Sequence, residues 1–144
     1  MTYRINELSF ALPDQQLQDA TINILKFGEL GTSLIVSRSL LAEGETLHSN
    51  FATQLERLGQ QVQELRHDPV QTVQVGQQQE VEAIELRSEF SKGNERVYQF
   101  QLAVVLPGTR RMLALSYVKA QPLGAAEVAQ WTGIKQSLDF AALG

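Results

Sequence analysis

The stretch from Arg96 to Leu106, joined through Pro107-Gly108-Thr109 to Arg111–Ala120, constrains the fold more than any other part of the chain. Side chains alternate faces along an extended strand. Tyr98, Phe100, Leu102, Val104 and Leu106 therefore share one side, and Val97, Gln99, Gln101, Ala103 and Val105 share the other. The first side is a core stripe. The second mixes small apolar groups with amides and carries no charge between Val97 and Val105, which fits neither a core nor an ordinary wet surface. In the return strand, Leu113, Leu115 and Tyr117 alternate with Met112, Ala114, Ser116 and Val118, so both of its sides are apolar as well. A hairpin of this kind needs cover on both faces.

The remaining segments supply candidates for that cover. Leu8, Phe10 and Leu12 alternate with Glu7, Ser9 and Ala11 before the Pro13-Asp14 turn, which predicts a first strand. Asp19 to Phe27 and Ser33 to Arg38 read as two more, closed by the Gly28-Glu29-Leu30-Gly31-Thr32 loop. Pairing Phe27 with Ser33 would set Ile24 opposite Val36 and Leu25 opposite Ile35; a slip of one residue exchanges their faces. Leu47, Phe51, Leu55, Leu58, Val62 and Leu65 form a stripe that predicts a helix from about Thr46 to Asp68-Pro69, with Glu56, Arg57, Gln60, Gln61 and Glu64 in water. Short and long strands at Thr72–Val75 and about Glu82–Phe90 lead through Lys92-Gly93-Asn94 into the hairpin. Val128, Trp131, Ile134 and Leu138 then give a last helix its buried side. The order β-β-β-α-β-β-β-β-α, joined by hairpins, predicts one α+β domain over residues 1–144. Its core would be a twisted antiparallel sheet of six or seven strands with two main helices.

That sheet is too wide for its helices. Six or seven strands at about 4.8 Å span roughly 30 Å, whereas one helix covers about 10 Å. Ile22, Ile24, Val97, Ala103, Met112, Ala114 and Val118 fall on faces opposite the best core stripes, and an exposed apolar patch of that kind marks a binding surface. A second subunit or an apolar ligand is expected there.

Chemical signatures are sparse. The chain has no cysteine, which excludes disulfides, thiolate nucleophiles and thiol-anchored zinc. His48 and His67 lack a second ligand at helical spacing, so no metal is expected; His67, beside Asp68, reads as a helix C-terminal cap. No nucleophile elbow or phosphate loop occurs, and Glu80, Glu82, Glu85 and Glu89 read as a solvated strand face. Neither an enzyme nor a cofactor is expected, although a deep polar pocket holding His67 or Glu85 would favour an enzyme. A net charge of −4, with Arg110-Arg111 the only adjacent basic pair among twelve Lys and Arg, argues against nucleic acid. Met1-Thr2-Tyr3-Arg4-Ile5-Asn6-Glu7 is no secretory leader, and the longest apolar run, Leu102 to Pro107, is far short of a membrane span. A cytoplasmic protein that does not itself cross a membrane is expected.

Four segments carry a family resemblance: Leu8-Ser9-Phe10-Ala11-Leu12-Pro13, Asp19-Ala20-Thr21-Ile22-Asn23, Ser33-Leu34-Ile35-Val36-Ser37-Arg38, and Gly44-Glu45-Thr46-Leu47 at the start of the long helix. Together they resemble the DcrB-like family with its PsbP-like fold, and within it the Eag chaperones, the effector-associated proteins of bacterial type VI secretion. The resemblance spans nearly the whole chain. It implies a non-enzymatic homodimer in the cytoplasm of a Gram-negative bacterium. Such a chaperone shields the N-terminal and transmembrane helices of a secreted effector and helps load that effector onto the secretion spike. The client-binding face would comprise Ile22, Ile24, Val36, Val97, Gln99, Gln101, Ala103, Met112, Ala114, Ser116 and Val118. The alternative is a general protein-docking module of the PsbP-like kind whose apolar face serves dimerisation alone.

Overall fold

In the computed structural model, residues 1–140 are described. The elements are β1 (Thr2–Arg4), β2 (Ser9–Ala11), β3 (Asn23–Phe27), β4 (Thr32–Leu40), α1 (Leu47–Gln61), β5 (Gln63–His67), β6 (Gln71–Val75), β7 (Val81–Lys92), β8 (Glu95–Val105), β9 (Arg111–Lys119) and α2 (Ala125–Gln136). The main sheet has seven strands in the order β3-β4-β9-β8-β7, and β5 and β6 divide the outer edge of β7 between them. All pairings are antiparallel. The α+β class, the antiparallel sheet and the two helices are as the sequence predicts. The first predicted strand forms as β2, but it pairs with β1 in a separate hairpin instead of joining the main sheet.

The long helix ends earlier than its apolar stripe predicts. Thr46 opens it with a capping box, its hydroxyl accepting from the Ser49 backbone N–H while Ser49 Oγ accepts from the Thr46 N–H. After Gln61 the chain turns extended, and Glu64 takes a φ of +55°, which a right-handed helix does not admit. Val62 and Leu65 continue the helical spacing only by coincidence, and residues 63–67 instead pair with β7. His67 consequently lies on a strand, not at a helix terminus, and its Nδ1 is 2.7 Å from the Asp68 carbonyl oxygen.

Two cores flank the sheet. On one face α2 lays Trp131 over Phe100, with ring centroids 5.8 Å apart and planes 2° apart, and Tyr117 completes the aromatic cluster. Leu34, Leu102, Val104 and Leu115 surround it. Polar contacts fix the helix in place: Tyr117 and Thr32 hydroxyls both donate to Gln130 Oε1, at 2.5 and 2.9 Å. Lys135 reaches Glu85 at 2.5 Å and Lys119 reaches Glu127 at 2.8 Å. Glu85 therefore sits beneath a helix and is not part of a solvated acidic face, while Glu89 is held by Arg96 at 3.0 Å. Trp131, Ile134 and Leu138 of the predicted stripe pack into this core, but Val128 is exposed and Glu127 is buried in its ion pair with Lys119. Hydrogen bonding by Lys119 holds the Glu127 carboxyl below the usual range.

On the other face, α1 packs Leu47, Phe51 and Leu55 over Ile84, Leu86, Ala103 and Met112. It lies over β5, β7 and β8. The β3, β4 and β9 side of that face is left without a helix.

Candidate functional site

The strand register shows what lines the open half. One row across the sheet reads Ile24, Ile35, Ser116, Gln101, Leu86; the next reads Lys26, Ser33, Val118, Gln99, Ser88. Ser37, Ala114, Ala103 and Ile84 form a third, and Ser39, Met112 and Val105 a fourth. Along the first three rows the residues grow more buried toward α1. Ile24 is 58% exposed, Ile35, Ser37, Ala114, Ser116 and Val118 are half-buried, and Ala103 and Met112 are enclosed. The open half is thus a strip of serine and alanine, rimmed by Ile24, Ile35 and Val118, with the exposed Lys26 at the end of its second row. Gln101 stands at its border with α1, in a groove it shares with Gln54, Leu58 and Gln61.

Of the residues expected on a binding face, Ile24, Val97, Gln99, Gln101, Ala103, Met112, Ala114, Ser116 and Val118 share this side of the sheet. Ile22 lies just before β3 and is 59% exposed. Val36 belongs to the opposite side and packs against the α2 core. The cause is register: Phe27 pairs with Thr32, one residue from the expected Ser33, so Ile35 takes the place opposite Ile24. Gln99, Ala103 and Met112 are on the right face but are used by the fold itself. Gln99 Nε2 donates to Ser88 Oγ at 3.2 Å in a buried pair, and Ala103 and Met112 lie in the core with α1. The sequence reading missed Ile35 and the serines 33, 37 and 39. Their alternation in Ser33–Ser39 is visible in the chain, but only the register assigns it a face.

A second observation concerns where apolar surface remains. Nine of the eleven large apolar residues most exposed among the described residues precede residue 41: Met1, Ile5, Leu8, Phe10, Leu17, Ile22, Ile24, Leu25 and Leu40. The surface calling for a partner is therefore the N-terminal arm, β3 and the end of β4, next to the open half. Polar contacts anchor the arm. The Tyr3 hydroxyl donates to Asp19 Oδ2 at 2.7 Å and lies 3.0 Å from Thr21 Oγ1, and Arg38 holds the Thr21 carbonyl oxygen and Asn23 Oδ1 at 2.9 and 2.7 Å. Hydrogen bonds from Thr21 and then Tyr3 lower the Asp19 pKa to about 2.

A cleft of about 440 Å³ containing His67 opens on the α2 side, between β5, β7 and the loop after β9. It is polar, but His67 meets a backbone carbonyl there and not a carboxylate that would orient it as a base. His48 is 3.0 Å from Glu82, and both are exposed on the α1 side. Among the described residues no group of His, Asp and Glu is placed to hold a metal, and no helix is long and apolar enough to cross a membrane.

Fold and face together define a class: an antiparallel α+β protein in which one helix covers half of a sheet face and leaves the other half small, apolar-rimmed and open. The chain belongs to the DcrB family, whose model matches residues 7–137. Its fold is similar to that in the crystal structure of PA94, a Pseudomonas aeruginosa protein of unknown function, with a TM-score of 0.72 and 19% identity over 96% of this chain and 94% of that one. At that identity the likeness concerns the fold alone. No curated protein matches the chain.

Proposed function

We propose that the chain is a non-enzymatic, cytoplasmic chaperone of the type VI secretion pathway, acting as a homodimer. It shields the N-terminal or transmembrane helices of a secreted effector and helps load that effector onto the secretion spike. The observation that carries this reading is the open half-face. A transmembrane helix in water exposes many large apolar side chains, each worth roughly 1.5–3 kcal/mol on burial, so its carrier must offer apolar surface. Ile24, Ile35 and Val118 offer it. Small residues between them, Ser33, Ser37, Ala114 and Ser116, let a helix backbone come close, as small residues do between helices in membranes. Gln101 and the serine hydroxyls give hydrogen bonds to polar client groups that would otherwise be buried unpaired. Membership of the DcrB family and the four segments that resemble the Eag chaperones add support.

The test is co-expression with a tagged reporter bearing one N-terminal transmembrane segment. The wild-type chain should keep the reporter in the supernatant and co-purify with it. Ile24→Asp, which puts a charge on the exposed rim, should lose both. Co-purification at wild-type yield with Ile24→Asp would sink the assignment of this face. A stable dimer that takes up no transmembrane segment would favour the docking module instead.

A further inference from the structure

We propose that the cleft between β5, β7 and the loop following β9 binds a carboxylate of an acidic peptide, on the sheet side opposite the open half-face. Its walls include Arg66, Arg87, Glu89, Tyr98 and Leu123. At about 440 Å³ it falls within the size range of binding clefts. Arg87 is preorganised: Nη2 donates to the Leu123 carbonyl at 2.9 Å, and the guanidinium lies 5.2 Å from the centroid of the Phe100 ring. A guanidinium has five N–H donors, so four remain for a ligand. The Arg66 side chain has no hydrogen bond or ion pair among the described residues, although Glu89 is its strand partner; the Glu89 carboxylate is taken by Arg96 at 3.0 Å. Two forked cations thus border one cleft with no acid bound to either, a geometry suited to planar carboxylates.

The charges also limit the ligand. Arg96 holds Glu89 at 3.0 Å and lies 3.6 Å from Glu64, so Arg66, Arg87 and Arg96 stand against Asp68, Glu89 and Glu64 and the cleft carries no excess charge. That balance leaves no excess positive charge to hold a dianionic phosphate, whereas one carboxylate can be met by the free N–H donors of the two forks; the chain's net charge of −4 adds long-range repulsion against any polyanion. Tyr98, Pro122 and Leu123 provide apolar wall for the aliphatic groups beside that carboxylate.

The experiment follows the arginine Nε–Hε NMR signals of the ¹⁵N-labelled protein at low ionic strength. The probes are the blocked hexapeptide Gly-Gln-Leu-Asp-Gly-Ser, its Asn counterpart, and inorganic phosphate. The acidic peptide should shift Arg66 and Arg87 saturably, and the amide peptide should bind at least about tenfold more weakly. R66Q and R87K should each weaken binding by about tenfold with the circular dichroism spectrum unchanged, since R87K keeps the charge and loses the fork. Equal response to both peptides, displacement by equimolar phosphate, or unaltered affinity in R66Q and R87K would each overturn the proposal. Ile24→Asp should bind the peptide as wild type does, so a failure here is separable from a failure of the client face.

Discussion

Phe100 and Gln101 are neighbours on β8, yet their side chains serve opposite faces, and replacing each in turn should separate stability from binding. Phe100 is buried between the Trp131 ring at 5.8 Å and the Tyr117 ring at 6.3 Å, with Arg87 5.2 Å from its centroid. Phe100→Ala removes a buried aromatic, a change that costs about 3–5 kcal/mol. The flat stack on Trp131 and the lost Arg87 contact keep the expected value off the low end of that range, at about 4 kcal/mol. With a urea m value of about 2 kcal/mol/M, the midpoint should fall by about 2 M. Gln101 is half-buried at the edge of the open strip and has no side-chain hydrogen bond among the described residues, so Gln101→Ala should stay within about 0.5 kcal/mol of wild type. Its effect should appear in reporter co-purification. Urea titration followed by the fluorescence of Trp131, the only tryptophan, reads docking of α2 directly, and far-UV circular dichroism supplies the second probe. Equal loss of stability in the two variants would refute the division of the faces. So would a Phe100→Ala midpoint within 0.5 M of wild type, taken here as about 1 kcal/mol.

Three further outcomes are expected. Val36→Asp should lower the urea midpoint by forcing a charge against the α2 core, whereas Ile35→Asp should leave the protein folded and reduce client capture; the reverse pairing would mean the β4–β9 register is off by one. Gly76→Ala should cost about 1–2 kcal/mol in urea unfolding, because Gly76 has a φ of +99° and a Cβ there would meet the Glu80 carboxylate at 2.7 Å; an unchanged midpoint would contradict that geometry. The Asp19 carboxyl has its folded pKa, about 2, below its ordinary 3.8, so its hold on the arm is fully present above about pH 4 and is lost as the pH falls through about 2. Tyr3 ring and Thr21 methyl resonances should titrate with a midpoint near pH 2 and lose that step in Asp19→Asn; a midpoint near 4 would remove the Tyr3–Asp19 anchor from the account.

Alternation and periodicity in the sequence determined the class of the fold, the hairpin from Arg96 to Ala120, the existence of both helices and the mismatch between sheet width and helix cover. These follow from local geometry, in which a strand repeats every two residues and a helix every 3.6. Nine of the eleven proposed face residues lie on one side for the same reason. Tertiary structure alone decided which side of each element met which neighbour. A one-residue register put Val36 in the core and Ile35 on the face, since a period of two turns any slip into a change of side. The position of α1 enclosed Ala103 and Met112 and left Ala114 and Ser116 open, though all four share one face and much the same polarity. Helical spacing ran on through Val62 and Leu65, but pairing with β7 claimed that segment as β5. The cleft at Arg66 and Arg87 had no signal in the chain, because its two arginines are brought together only by the pairing of β5 with β7 and by the carbonyl of Leu123 on the loop after β9.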